Sequence, residues 1–351
     1  MVIVCIADRK KYEVRGTHMR YSKELVLQGL QLFEIKDKIV NIEPFIEYFN
    51  FQENPSEVKF IAKIKFETKK PLIIRITKES HIDNSLAEKQ SIFSEKMREY
   101  GINTPKRYSM NKKYVLEFSH EGHILNCALE DYVGSSIKKL NIEKLRDIGS
   151  LLGKMHLLSE TNDIKLNTTG YVFNLLGVNE VIKLDKLVEL HNQYNLDKKF
   201  LSRIQESYNL ILSKVSTKLE SESKYGVQGD SSLSNLVFKN DKTWIFDYNI
   251  ACDEYLVIQF VLEGLLLSYE EEYADNSTFD ERFDSFTKGY FEERKLSAVE
   301  KEVFPLILKV SKALWFTKIQ FNESSIEKLL KKSEFKLVYE ILDNISKLLR
   351  D

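Results

Sequence analysis

Apolar and polar positions change their spacing along this chain of 351 residues. From Val58 to Phe66 they alternate, Leu72 to Thr77 and Tyr114 to Phe118 are compact apolar runs, and Ile124 to Val133 follows a Glu121-Gly122 turn. These segments predict strands of one sheet. A helix is predicted from about Ser85 to Tyr100, with Gly101 as its C-terminal signal and Pro105 just beyond. After Gly134 the spacing becomes helical: Leu145, Ile148, Leu151, Leu152, Met155 and Leu158 share one face, and Arg146, Asp147 and Lys154 the other. Helical patterns then run to the end, broken once by a β-hairpin between 235 and 247. The apolar run from Tyr255 to Tyr269 holds Gln259 and Glu263 and falls short of the roughly 20 residues that span a bilayer, so it predicts a buried helix rather than a membrane span. The pattern is that of an α+β chain, sheet-rich first and helical afterwards, hinged near 130 to 134.

Composition narrows the function. The 52 basic residues are offset by 53 acidic ones, so no global positive field exists to gather nucleic-acid phosphates. Cys5, Cys127 and Cys252 are odd in number and lack metal-ligand spacing, as in a reduced intracellular chain. The apolar opening, Met1 to Ile6, is cut off by Asp8-Arg9-Lys10-Lys11 before it reaches the length of a signal-peptide core. A cytoplasmic protein with neither nucleic acid nor membrane as partner is expected.

The informative segment is Val227-Gln228-Gly229-Asp230-Ser231-Ser232-Leu233-Ser234-Asn235-Leu236-Val237-Phe238, followed by Thr243-Trp244-Ile245-Phe246-Asp247-Tyr248. The two apolar runs flank the turn signature Lys239-Asn240-Asp241-Lys242 and should pair as a hairpin. With the turn centred between Asn240 and Asp241, Asn235 faces Phe246 at the open end and Asp247 is its neighbour. An amide oxygen beside a carboxylate forms a hard oxygen site of the kind magnesium takes next to substrate phosphates. Asp230, five residues before Asn235, has the kinase catalytic-loop spacing for an acid that orients a hydroxyl and accepts its proton.

These residues resemble the aminoglycoside phosphotransferase and choline kinase group of small-molecule kinases, which have a bilobal protein-kinase-like fold. The match falls on Gly229, Asp230, Asn235 and Asp247. By this resemblance Asp230 is the catalytic base, and Asn235 and Asp247 hold Mg2+. Arg75, in Leu72-Ile73-Ile74-Arg75-Ile76, looks like the basic residue on the nucleotide phosphates, and Glu88 like the helix acid that pairs with it. Gly101 to Pro105 looks like the turn after that helix. Glu130 and Tyr132, in Glu130-Asp131-Tyr132-Val133-Gly134, occupy the hinge position, where backbone groups contact the purine. Ser56 is placed at the tip of a glycine-free phosphate loop, and Gln228 stands where the family has histidine. The resemblance implies an N-terminal nucleotide lobe over 1–130 with residues 1–50 weakly placed, and a hinge at 131–134. A helical lobe over 135–351 follows, carrying the catalytic loop 227–235 and the metal hairpin 235–247.

The implied donor is ATP or GTP and the implied acceptor a small hydroxyl-bearing molecule. Eight acids between Glu263 and Asp284 against the single base Arg282 suggest a cationic acceptor, an aminoglycoside-like antibiotic first, held by Glu263, Glu270, Glu271, Asp253 and an aromatic such as Trp315. The ordinary reading of such a run is a solvated face. Choline, homoserine or a sugar fits the same nucleotide half, and Gln228 with the glycine-free loop motivates a catalytically weak pseudokinase. A protein kinase is disfavoured, because Tyr248-Asn249 replaces Phe-Gly and no activation segment follows. His120 and His123, flanking a turn, are read as exposed turn residues rather than metal ligands, and His156 as a packed one.

Overall fold

The computed structural model describes residues 18–50, 57–79, 82–169, 174–177, 180–269 and 273–350. In chain order the first elements are α1 (His18–Leu32), β1 (Ile39–Asn50), β2 (Glu57–Phe66), β3 (Leu72–Lys78), α2 (Asn84–Glu99), β4 (Val115–His120) and β5 (His123–Asp131). Then come α3 (Ile142–Thr161), α4 (Leu184–Tyr194), α5 (Lys198–Leu219), β6 (Tyr225–Val227), β7 (Leu236–Lys239), β8 (Lys242–Ile245) and β9 (Cys252–Glu254). The chain closes with α6 (Leu256–Ser268), α7 (Phe279–Glu293), α8 (Ala298–Leu314), α9 (Phe316–Ile319), α10 (Ile326–Lys331) and α11 (Phe335–Arg350). No helix among the described residues is long and apolar enough to cross a membrane.

Two compact units emerge: residues up to Lys138 together with Asp230–Ala251, and Lys139–Gly229 together with Cys252–Asp351. The first is built on an antiparallel sheet of order β1-β2-β3-β5-β4. Alternation gives this sheet two chemically different faces. On one face Phe60, Ala62 and Ile64 of β2, Leu72, Ile74 and Ile76 of β3 and Leu125, Cys127 and Leu129 of β5 form a closed core with Leu25, Val26 and Leu30 of α1 and Phe33 just after it. Burying a side chain of this size contributes about 1.5–3 kcal/mol. The register Ile61↔Arg75↔Ala128 puts Lys59, Ile61, Ile73, Arg75, Thr77, Ala128 and Glu130 on the other face. Helix α2 is capped by Asp83, whose carboxylate accepts from Leu86 N, and buries Gln90, Phe93, Ser94 and Met97.

The β7–β8 hairpin has the expected register, Leu236↔Ile245 and Val237↔Trp244, and Asn240 and Asp241 both take the positive φ of its tight turn. The family resemblance places this hairpin with the helical lobe. Instead it packs in the sheet-bearing unit, where Ile245 N donates to Asn103 O at 3.0 Å and Tyr248 meets Phe93 of α2 edge-on at 5.8 Å.

In the second unit α3 and α7 cross at very short range. A Cβ on Gly149 would lie 2.1 Å from Phe286 O, and one on Gly289 1.9 Å from Arg146 O, so only glycine permits the approach. All of α6 is buried, as its apolar run predicted. His156 of α3 is buried against Tyr290 of α7, Nδ1 to the hydroxyl at 2.9 Å. Beside them Arg294, 3% exposed, pairs with Glu160 and Glu300.

Candidate active site

The site grows from the end of the hairpin. One residue beyond the Leu236↔Ile245 pair, Phe246 N donates to Asn235 O at 3.0 Å, so the backbone fixes Asn235 beside the residue that precedes Asp247. Asn235, 6% exposed, donates from Nδ2 to Asp230 O at 3.0 Å and to Asp230 Oδ2 at 2.9 Å. Both amide hydrogens go to Asp230, which leaves Oδ1 as the acceptor end of the side chain. Ser232 N donates to Asp230 Oδ1 at 3.0 Å. Burial raises the Asp230 pKa to about 6; the Ser232 hydrogen bond opposes the shift and the Asp247 charge reinforces it.

Asp247 sits at φ +61°, a left-handed conformation that aspartate tolerates better than most residues. Its Oδ1 lies 3.2 Å from Arg75 Nη1, and Arg75 Nε lies 3.6 Å from Glu130 Oε1. Glu130 in turn meets Arg107 Nη2 at 3.3 Å. Arg107 is held by Ser91 Oγ at 2.9 Å and, through its backbone N–H, by Glu95 Oε1 at 2.6 Å. Burial disfavours the Arg75 charge, but Asp247 and Glu130 outweigh it and hold the guanidinium pKa above its ordinary value. A cavity of about 50 Å³ opens among Arg75, Asp247, Lys59, Thr77 and Gln90.

The structure thus brings Asp230, Asn235, Asp247 and Arg75 together within one unit. Other expected residues stand elsewhere. Glu88 does not reach Arg75: its carboxylate accepts from Tyr114 N at 2.9 Å and Val115 N at 2.8 Å. Helix geometry explains this, because Glu88 is nine residues from the buried Met97 and therefore on the opposite side of α2, whereas Gln90 shares the face of Phe93 and Met97. The Glu130 side chain, at the hinge position whose backbone groups are expected to contact the purine, belongs to the arginine cluster. The Tyr132 ring carries Lys63 Nζ at 4.1 Å, and its hydroxyl meets Ser135 Oγ at 3.1 Å. Ser56 lies outside the described residues.

Among the described residues, the acids of the run have separate partners. Glu263 is fully buried in α6 and accepts from Gln259. Asp275 accepts from Ile142 N at 2.9 Å, Glu281 closes a capping box with Thr278, and Asp280 and Asp284 pair with Lys312 and Lys288. Glu270 and Glu271 lie outside the described residues. Asp253 gives its two oxygens to Leu166 N at 2.8 Å and Asn167 N at 2.7 Å, which orders the loop after α3. Trp315 is fully buried, stacked on Tyr269 at 5.5 Å. His120 is buried with Nδ1 3.3 Å from Gln28 Oε1 rather than exposed.

Sequence reasoning missed Gln90 and Arg107. Gln90 was signalled by its spacing from Phe93 and Met97; Arg107 sits in an irregular stretch with no periodic cue.

The donor set suits a hard divalent cation: one amide oxygen, oriented by the Asp230 contacts, and one carboxylate. No group of three or more His, Cys, Asp or Glu side chains among the described residues could hold a metal, so a cation at Asn235 and Asp247 would complete its shell from water and ligand oxygens.

The antiparallel five-stranded sheet, the helix beside it, the Asp-Asn-Asp hairpin and the mostly helical second unit define a kinase-like α+β fold. Among solved structures, this chain is similar to an amicoumacin kinase in complex with AMP-PNP, Ca2+ and Ami, at TM-score 0.56 and 14% identity over 93% of this chain and 94% of that one. It is similar to a microcompartment-associated aminopropanol kinase at TM-score 0.57 and 10% identity, covering 93% and 96%. An aminoglycoside phosphotransferase from Alicyclobacillus acidocaldarius gives TM-score 0.52 and 11% identity, covering 87% and 92%. Neither a protein-family profile nor a curated protein matches the chain in sequence. The chain has the fold that these small-molecule kinases share.

Proposed function

We propose that this chain is a magnesium-dependent phosphotransferase that moves the γ-phosphate of ATP or GTP to a hydroxyl of a small molecule. The observation that carries this reading is the Asp230–Asn235 tie beside Asp247 and Arg75, on a small-molecule kinase fold. Asp230 orients the acceptor hydroxyl and takes its proton as the new oxygen–phosphorus bond forms and the bond to the leaving diphosphate breaks. Asn235 Oδ1 and the Asp247 carboxylate would hold magnesium, which when bound neutralises phosphate charge. Arg75 adds a fixed cation whose orientation Glu130 maintains.

For the acceptor, an amine-bearing alcohol is the class we favour, with an aminoglycoside-like antibiotic first. Support comes from the kinases of similar fold, whose names give amicoumacin, aminopropanol and aminoglycosides. Choline, homoserine and sugars are the alternatives.

The test is diphosphate release from ATP and GTP with magnesium against a panel of antibiotics and amino-alcohols. Acceptor-stimulated release that disappears in Asp230→Ala is the expected result. Nucleotide binding without release on any acceptor would replace the enzyme by the pseudokinase reading that Gln228 and the glycine-free loop suggest, and no nucleotide binding at all would overturn both.

A further inference from the structure

We infer that Gln90 is a positioning residue for the metal-binding carboxylate of Asp247, serving the loop behind that residue rather than the arginine. The inference rests on the proposed phosphotransfer site. Gln90, 4% exposed, sends Nε2 to Asn249 O at 2.7 Å and to Ala251 O at 3.2 Å. Both carbonyls belong to the short segment that follows Asp247 and ends at Ala251, whose own N–H closes a turn onto Tyr248 O at 3.0 Å. Phe93, three residues on and so on the same side of α2, packs edge-on against Tyr248 at 5.8 Å. Helix α2 therefore holds the segment at both ends with one amide and one ring. The need for such a hold is visible in the backbone, because Asp247 keeps a positive φ that the surrounding structure must maintain.

Side-chain chemistry makes the assignment specific. Two carbonyl oxygens require a donor; a carboxamide nitrogen supplies two hydrogens, and a carboxylate supplies none. Gln90 lines the same cavity as Arg75 and Asp247, so two roles compete for one position. A side chain serving Arg75 would be improved by a negative charge. One serving the two carbonyls would be harmed by it, since the charge would face two carbonyl oxygens with Asp247 nearby. Gln90→Glu therefore separates the roles by sign, and Gln90→Met, similar in volume and without a donor, removes the hydrogen bonds with little change in packing.

The experiment compares the full-length protein with both variants in two measurements: hydrogen exchange of the Ala251 amide without ligands, and the magnesium concentration giving half-maximal nucleotide turnover. The expected result is exchange faster by about tenfold in Gln90→Met, the scale of losing a buried hydrogen bond. The magnesium requirement should rise several-fold in both variants, more in Gln90→Glu, while the nucleotide KM at saturating magnesium changes less than twofold. A Gln90→Glu variant equal to or better than wild type overturns the inference, as does unchanged Ala251 exchange or unchanged magnesium dependence in Gln90→Met. If Gln90→Glu fails to fold, Gln90→Met decides alone. A wild-type protein without nucleotide turnover would count against the phosphotransfer reading, and with it against the metal role of Gln90. Normal wild-type turnover with indifferent variants would remove only the inference.

Discussion

Asn235 holds Asp230 through both hydrogens of its amide, one on the backbone carbonyl at 3.0 Å and one on the carboxylate at 2.9 Å. The residue that would offer an oxygen to the metal is thus the residue that aims the base, so the two functions cannot be altered separately at this position.

Asn235→Asp should consequently do two kinds of damage, removing both donors and placing a second negative charge against Asp230. Turnover is expected to fall about 10- to 100-fold, with the acid limb of the pH profile moving upward as the Asp230 pKa rises. Added magnesium should recover part of the loss by binding between the carboxylates. Asp247→Asn should lose more, since it removes metal charge and releases Arg75 from its 3.2 Å partner. Steady-state kinetics across a magnesium series checks both; equal, magnesium-independent losses would make the hairpin structural.

The raised pKa of Asp230 fixes the direction of a pH effect. Below its pKa the carboxyl carries a proton and cannot accept another, so turnover should decline as pH falls through about 6. Magnesium on Asp247 would offset the charge that contributes to the rise, so the limb should sit lower at saturating metal. Asp230→Ala should abolish the limb and lower turnover by about 100-fold or more with nucleotide binding nearly unchanged. Isothermal titration with nucleotide alongside pH–rate profiles reads both.

Glu130→Gln separates a purine contact from an ion-pair role. The Glu130 carboxylate joins Arg75 and Arg107 in a buried cluster, and its loss leaves two guanidinium charges with one acid fewer. Removing one partner of a buried ion pair destabilises by about 3–5 kcal/mol. Urea denaturation should show a loss of this order, while the ratio of ATP to GTP affinity stays constant. A changed ratio at unchanged stability would give the side chain a purine contact instead.

His156 predicts the acid behaviour of the helical unit. Burial, and secondarily the charge of Arg294, holds its pKa well below the ordinary imidazole value. Below about pH 6.5 the unfolded chain takes up a proton there and the folded protein does not, so stability present above that pH is lost as pH falls. The slope from one such group reaches about 1.4 kcal/mol per pH unit. His156→Phe should flatten the fall in urea midpoint between pH 6.5 and 5, even if its absolute stability is lower for want of the Tyr290 hydrogen bond.

The sequence by itself determined the elements whose side chains repeat with a clear period or spacing. Strands β2, β3, β4 and β5, helices α2 and α6 and the hairpin register were legible because alternation, an unbroken apolar run and a two-residue turn are local properties. The proximity of Asp230, Asn235 and Asp247 was legible for the same reason, since a hairpin and the loop that feeds it bring them together. Neither α1 nor β1 was read, the strand being an edge with Pro44 and two register shifts that break its alternation.

Which partner each charged side chain takes was decided only by tertiary structure. Glu88 and Gln90 are two residues apart and look equally able to serve Arg75, yet the rotation of α2 turns one toward the strand backbone and the other toward the loop behind Asp247. Glu130 reads as part of a hinge until the sheet register sets it across from Ile73, on the face that carries Arg75. The described acids from Glu263 to Asp284 look like one charged face until folding distributes them among a buried helix, a capping box and separate lysines. Local spacing says which residues can share a turn or a face; the direction in which that face points is fixed by packing against residues far away in the chain.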